Sequence, residues 1–81
     1  MTQDEIRHEV NQIVIEIFEL DDDELKGDAD FYNDLGGDSI QKLELIVALE
    51  KHFSLHYSLT EQAGMHCVND VVRVTAKYEQ P

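Results

Sequence analysis

The stretch FYNDLGGDSIQKLELIV, residues 31–47, decides how this chain is read, because its pattern changes midway. The first half crowds the turn formers Asn33, Asp34, Gly36, Gly37 and Asp38 behind two aromatic residues, whereas the second half spaces its apolar residues for a helix. Ser39 stands at the junction. Serine and aspartate are preferred just before a helix, where their oxygens accept from the first unpaired amides, so the simplest reading makes Ser39 a cap. The helix then runs from Ile40 to Phe53, with a core stripe at 43, 46, 49 and 53 joined by Leu45. Ile40 and Val47 lie beside Glu44 and Ala48 as a partly exposed apolar strip next to acidic groups, which has the look of a contact surface.

On the N-terminal side, apolar residues at 6, 10, 13, 14 and 17 line one face of a helix over about 3–18. Thr2 and Glu5 have the spacing of a capping box at its start. An acidic run, Asp21 to Glu24, ends that pattern, and a long loop pinned by Phe31, Tyr32 and Leu35 delivers Ser39. Connections of this length in a small domain tend to be functional. Beyond Phe53, Thr60 can cap a short helical turn, EQAGM, that Gly64 keeps brief. Val71, Val72, Val74 and Tyr78 then recur at near-helical intervals, predicting a last helix over about 69–79. The expected fold is all-α, a four-helix bundle with a long first connection and a short third helix, in a single domain over 1–81.

Eighty-one residues allow one modest core, too little to wall off a deep active site. Six basic residues against 18 acidic give a formal charge of -12, which repels nucleic acid and anionic membranes and favours basic partner proteins. A lone cysteine, Cys67, rules out an intrachain disulfide and fits a reducing compartment. The stretch MTQDEIRHEV lacks a secretory signal's basic start and apolar run, so the expected location is cytoplasmic and the expected state a monomer.

A nucleophilic Ser39 would need a base and an oxyanion site, and GDSIQ has Gln41 where a nucleophile elbow requires glycine. LGGDSIQK lacks the lysine-hydroxyl ending of a phosphate-binding loop. The acidic run fails as a calcium loop, since its twelfth position is Asn33, not glutamate. His8, His52, His56, His66 and Cys67 show only a loose His52/His56 pairing, too little for a zinc site. These readings leave an exposed serine with no machinery of its own, a residue suited to modification by another protein.

Residues 28–53, DADFYNDLGGDSIQKLELIVALEKHF, resemble the acyl carrier proteins and related peptidyl carrier domains. The resemblance rests on Asp34, Leu35, Gly36, Asp38, Ser39 and Ile40, with Phe31, Leu43, Glu44, Leu45, Leu49, Glu50 and Phe53 at the family's anchor, core and acidic positions. It implies a non-enzymatic carrier with 4'-phosphopantetheine on Ser39, attached from coenzyme A by a phosphopantetheinyl transferase and supported by Asp38. The arm's thiol would hold a substrate as a thioester. Ile40, Gln41, Glu44, Val47, Ala48 and Glu50 would then form the recognition surface for basic-patched loading or adenylating, condensing and modifying enzymes.

Typical fatty acid carriers are acidic just after the serine and its aliphatic neighbour, where this chain has Gln41 and Lys42. A specialised fatty acid or polyketide pathway is the leading expectation. The paired glycines also suit a discrete aminoacyl or peptidyl carrier of nonribosomal peptide-type synthesis, and an unmodified interaction module with the same fold is a third reading.

Overall fold

The computed structural model describes residues 1–79. It comprises α1 (Gln3–Phe18), a 3₁₀ turn over Asp22–Glu24, α2 (Ser39–Phe53), α3 (Leu59–Ala63) and α4 (Val68–Tyr78). Among the described residues there is no strand, so the expected all-α architecture with its short third helix holds. The last two residues of the 1–81 span, and only those, lie outside the described part.

The spacing of apolar side chains in α1 determines what it buries. Ile6, Val10, Val14 and Phe18 succeed one another at four-residue steps and are all buried, while Ile13 and Ile17 fall on the edge of that stripe and stay half-buried. The Thr2/Glu5 capping box forms as read: Thr2 Oγ1 accepts from Glu5 N at 3.1 Å and Glu5 Oε1 from Thr2 N at 2.8 Å. α1 packs against both α4 and α2. From α4 come Val68, Val71, Val72 and Val74, whose branched side chains lose little freedom once wedged into a core. Tyr78, expected to continue that stripe, is exposed instead and hydrogen-bonds Glu61 on α3 at 2.5 Å.

Two local expectations are corrected. Ser58, not Thr60, caps α3: its Oγ accepts from Glu61 N at 3.0 Å while Glu61 Oε1 accepts from Ser58 N at 2.8 Å. The serine-to-glutamate spacing satisfies two orphan amides at once, which a cap two residues later could not do. The helix therefore ends at Ala63, and Met65 is a buried core residue beyond it. In α2, Leu45, Ile46, Leu49 and Phe53 form the buried stripe, and Leu43 is 61% exposed.

Tyr57 anchors the α2–α3 connection. Its hydroxyl shares a buried hydrogen bond of 2.7 Å with Thr75 Oγ1 of α4, and its ring meets Tyr78 edge-on at 5.9 Å. Tyr57→Phe is expected to cost about 1–2 kcal/mol by stranding the threonine hydroxyl. Urea denaturation should show the double variant with Thr75→Val to be less destabilised than the sum of the two single changes.

Candidate functional site

The long connection is fixed at three points. Gly27 O accepts from Asn69 N at 2.9 Å, and Asn69 Oδ1 in turn accepts from Arg7 Nη1 at 2.8 Å, tying the loop to α4 and α1 together. Phe31 donates its amide to His66 O at 2.8 Å and lays its buried ring 5.5 Å from that of Phe18. Gly37 donates to Phe31 O at 2.8 Å and sits so close that an added Cβ would stand 2.8 Å from that oxygen and 2.9 Å from Phe18 Cε1. Only glycine fits there without displacement.

Its neighbour Gly36 serves a different purpose. It adopts φ +70°, a left-handed conformation that side chains disfavour, with nothing within 4 Å of the position a Cβ would take. One glycine turns the chain and the next packs it. Between the anchors, Asp30 Oδ2 accepts from Tyr32 N at 3.0 Å and Asn33 N at 2.8 Å, and Asp34 Oδ2 accepts from Asp30 N at 2.7 Å. Of the three expected loop anchors, Phe31 is 1% exposed, Leu35 is half-buried, and Tyr32 lies exposed at the surface. Lys42 Nζ stands 5.6 Å from the centre of the Tyr32 ring. Partial burial lowers the pKa of Lys42 below the usual lysine range, against the opposing pull of Asp30 and Asp70.

Ser39 does not cap α2. Asp38 does: its Oδ1 accepts from Gln41 N at 2.8 Å, and Gln41 Oε1 accepts from Asp38 N at 3.2 Å. Ser39 is the first helical residue, with its hydroxyl relieved of capping duty, and Asp38, Ser39 and Ile40 are all exposed. Asp38→Ala should cost about 1 kcal/mol by the usual worth of such a cap, read as a lowered urea midpoint.

The other expected surface residues divide into two groups. Ile40, at 70% exposure, Val47, at 56%, and Glu44 face solvent, joined by Leu43, while Ala48 is half-buried beside α1. Gln41 and Glu50 are committed to internal hydrogen bonds. Glu50 Oε2 accepts from Tyr57 N at 2.8 Å and lies 3.7 Å from His56 Nδ1, because the left-handed Ser54 folds the chain back over the end of α2. His52 and His56 point to separate carboxylates, with His52 Nε2 3.7 Å from Glu9. No group of three or more metal-binding side chains converges among the described residues.

Sequence reasoning missed two features near the site, the Lys42–Tyr32 pairing and the exposed edge of α1. Lys42 is visible in sequence only as an unexpected cation after Gln41, and its ring partner Tyr32 carries no sequence signal of the pairing. Ile13 and Ile17 look like ordinary core positions but leave an edge of α1 exposed beside α2.

The arrangement presents an unencumbered serine at the positive end of a 15-residue helix, where an attached phosphate is electrostatically favoured. The family described as the phosphopantetheine attachment site matches residues 8–74. An acyl carrier protein of Prochlorococcus marinus (strain MIT 9515) is 38% identical over 73 residues, spanning 90% of this chain and 91% of its own. A solved structure from Mycobacterium tuberculosis, provisionally described as an acyl carrier protein, covers 89% of this chain and 96% of its own with a TM-score of 0.82 at 25% identity. The chain belongs to the acyl carrier family of phosphopantetheine-bearing proteins. Members are carriers and not enzymes; they hold phosphopantetheine covalently and work with a phosphopantetheinyl transferase and biosynthetic enzymes. No helix among the described residues is long and apolar enough to cross a membrane.

Proposed function

We propose that Ser39 is the residue that bears 4'-phosphopantetheine, and that the chain is a single carrier domain over 1–81 presenting an acyl substrate to partner enzymes in a specialised fatty acid or polyketide pathway. The observation that carries this reading is the division of labour at the start of α2: Asp38 caps, and Ser39 is exposed. The site suits the group. Ser39 is exposed, the first-turn amides other than that of Gln41, which Asp38 holds, and the helix dipole favour the charge of an attached phosphodiester, and no acidic side chain stands within that first turn. When bound, the group supplies a terminal thiol on a flexible arm, to which cargo is joined as a thioester.

The chain's own residues supply position and recognition. Asp38 fixes the helix start that aims the serine, and Gly36 and Gly37 bring the loop to that point. Ile40, Leu43 and Val47 beside Glu44 form an apolar patch with an acidic border, suited to a partner surface that is apolar at its centre and basic around it. With 18 acidic against 6 basic residues, long-range attraction speeds encounter with such partners. The carrier works as a cytoplasmic monomer. The acyl reading is supported by the relative of 38% identity, and Lys42 after Gln41 supports a specialised pathway. The paired glycines favour an aminoacyl or peptidyl carrier as the second reading.

Incubation with coenzyme A, magnesium and a broad-specificity phosphopantetheinyl transferase should add one phosphopantetheine mass, with peptide mapping locating it on Ser39. No gain with an active transferase would leave an unmodified interaction module as the better description. Intact mass of the protein from its native host distinguishes acyl from aminoacyl cargo.

A further inference from the structure

Lys42 is set apart from the other lysines by where it stands. Lys26, Lys51 and Lys77 are exposed, whereas Lys42 is half-buried. It lies three residues after Ser39 on α2, about 4.5 Å further along the axis and on the adjoining face, while Lys51 lies about 18 Å along. Helical side chains lean toward the N-terminus of their helix, so this lysine reaches back over the turn that holds Ser39. Its amine ends 5.6 Å from the centre of the Tyr32 ring, in the loop that delivers the serine.

The carboxylates around it are occupied elsewhere. Asp30 of the loop accepts from the Tyr32 and Asn33 amides, and Asp70 of α4 accepts from the His66 amide at 2.9 Å and from Arg73 Nη1 at 3.0 Å. No ion pair among the described residues includes Lys42. Burial outweighs the pull of both acids and lowers the pKa of Lys42, so its uncharged form is more available than that of an ordinary lysine.

We propose that Lys42 is a modification site for the carrier's own cargo: its amine takes the acyl group from the thioester tethered at Ser39. The inference rests on the reading of Ser39 as the attachment residue. In the step, the Nζ lone pair attacks the thioester carbonyl carbon. The C–N bond forms, the C–S bond breaks, the electron pair leaves on sulfur, and the proton lost by nitrogen restores the thiol. Nothing is oxidised or reduced, and no co-reactant enters. Tethering supplies the acyl donor at an effective concentration of order millimolar, so an amine one turn from the anchor meets it far more often than any dilute free donor. The amide does not pass its acyl group onward as a thioester does. The step therefore withdraws cargo from use and removes one of the chain's six cations, one turn from Ser39.

The test uses the full chain loaded with acetyl- or octanoyl-phosphopantetheine from the matching acyl-coenzyme A, freed of excess donor, with intact mass establishing attachment. Transfer from sulfur to nitrogen leaves the intact mass unchanged, so the readout is acyl mass that survives neutral hydroxylamine, which cleaves thioesters and spares amides. Peptide mapping should place most of that resistant acyl group on Lys42, with trypsin no longer cutting after it, and several-fold less on each of Lys26, Lys51 and Lys77. Its initial rate should rise about tenfold from pH 7 to pH 8, as the uncharged fraction of an amine does below its pKa. Lys42→Arg keeps the cation and should still accept the arm, but should lose the resistant acyl group. An isotope-labelled Ser39→Ala chain mixed in should stay unacylated at Lys42, since transfer runs within one molecule.

Resistant acyl groups spread evenly over the four lysines, equal acylation of the Ser39→Ala chain, or a thioester lost only to hydrolysis would each overturn the proposal. Failure to gain the arm's mass at Ser39 sinks the attachment reading and this inference together; mass gain with no resistant acyl group on Lys42 sinks this inference alone.

Discussion

Ser39→Ala should abolish the gain of phosphopantetheine while leaving the fold's stability within about 0.5 kcal/mol of the parent, the usual range for an exposed change that disturbs no cap or core contact. The contrast between the two readouts is informative. Had Ser39 been the cap, its loss would have cost about 1 kcal/mol, and reduced modification could have been blamed on a frayed helix. Because Asp38 and Gln41 hold the helix start, the chemistry and the stability are separable at adjacent residues. Asp38→Ala provides the complement: it should lower the urea midpoint yet still accept the arm, more slowly. Retention of the mass gain in Ser39→Ala would move the attachment elsewhere, and equal destabilisation by both variants would show that the serine also supports the helix.

The largest effect on stability is expected from Phe31→Ala. The ring is buried against Phe18 and the backbone on either side holds both His66 and Gly37, so truncation leaves a cavity where loop, α1 and the start of α4 meet. Aromatic-to-alanine changes in a core cost about 3–5 kcal/mol. A domain of this size has a total of roughly 4–12 kcal/mol, so a large share of its stability is at stake. Denaturation should show a midpoint lowered accordingly, and hydrogen exchange at the Phe31 and Gly37 amides should accelerate more than at Leu49. Phe31→Leu should lose about a third as much, since most of the volume remains. A loss below 1 kcal/mol for the alanine variant would mean that the loop is held without its ring.

Much of this was legible in the sequence, and the failures have physical causes. The four-residue steps of α1 and the Thr2/Glu5 pair leave few alternatives, and both appear as read. Leu43 was misassigned because α2 is apolar on several sides: stripes through Leu43 or through Leu45 both satisfy helical spacing, and only the placement of α1 selects the second. The cap was misassigned for a narrower reason. Asp38 and Ser39 are both good caps, and it is the reciprocal bond to Gln41, three residues beyond Asp38, that decides between them. Glu50 reads as a surface acid because nothing in sequence announces that Ser54 turns left-handed and brings the Tyr57 amide to it. The glycine pair was legible as a pattern and not as two separate jobs, which emerge only with the ring of Phe18 beside Gly37.

The three anchors of the long connection change how its length should be counted. Closing a flexible loop carries an entropic penalty that grows with the logarithm of the number of residues between fixed ends, and here those ends are Gly27, Phe31 and Gly37. Between Gly27 and Gly37 the segment is thermodynamically a pair of short loops in series. Extra residues between Gly27 and Phe31 would bulge outward and leave the second span untouched, whereas removing one between Phe31 and Gly37 would pull directly on Asp38 and Ser39. Natural length variation compatible with carriage should therefore gather upstream of the phenylalanine.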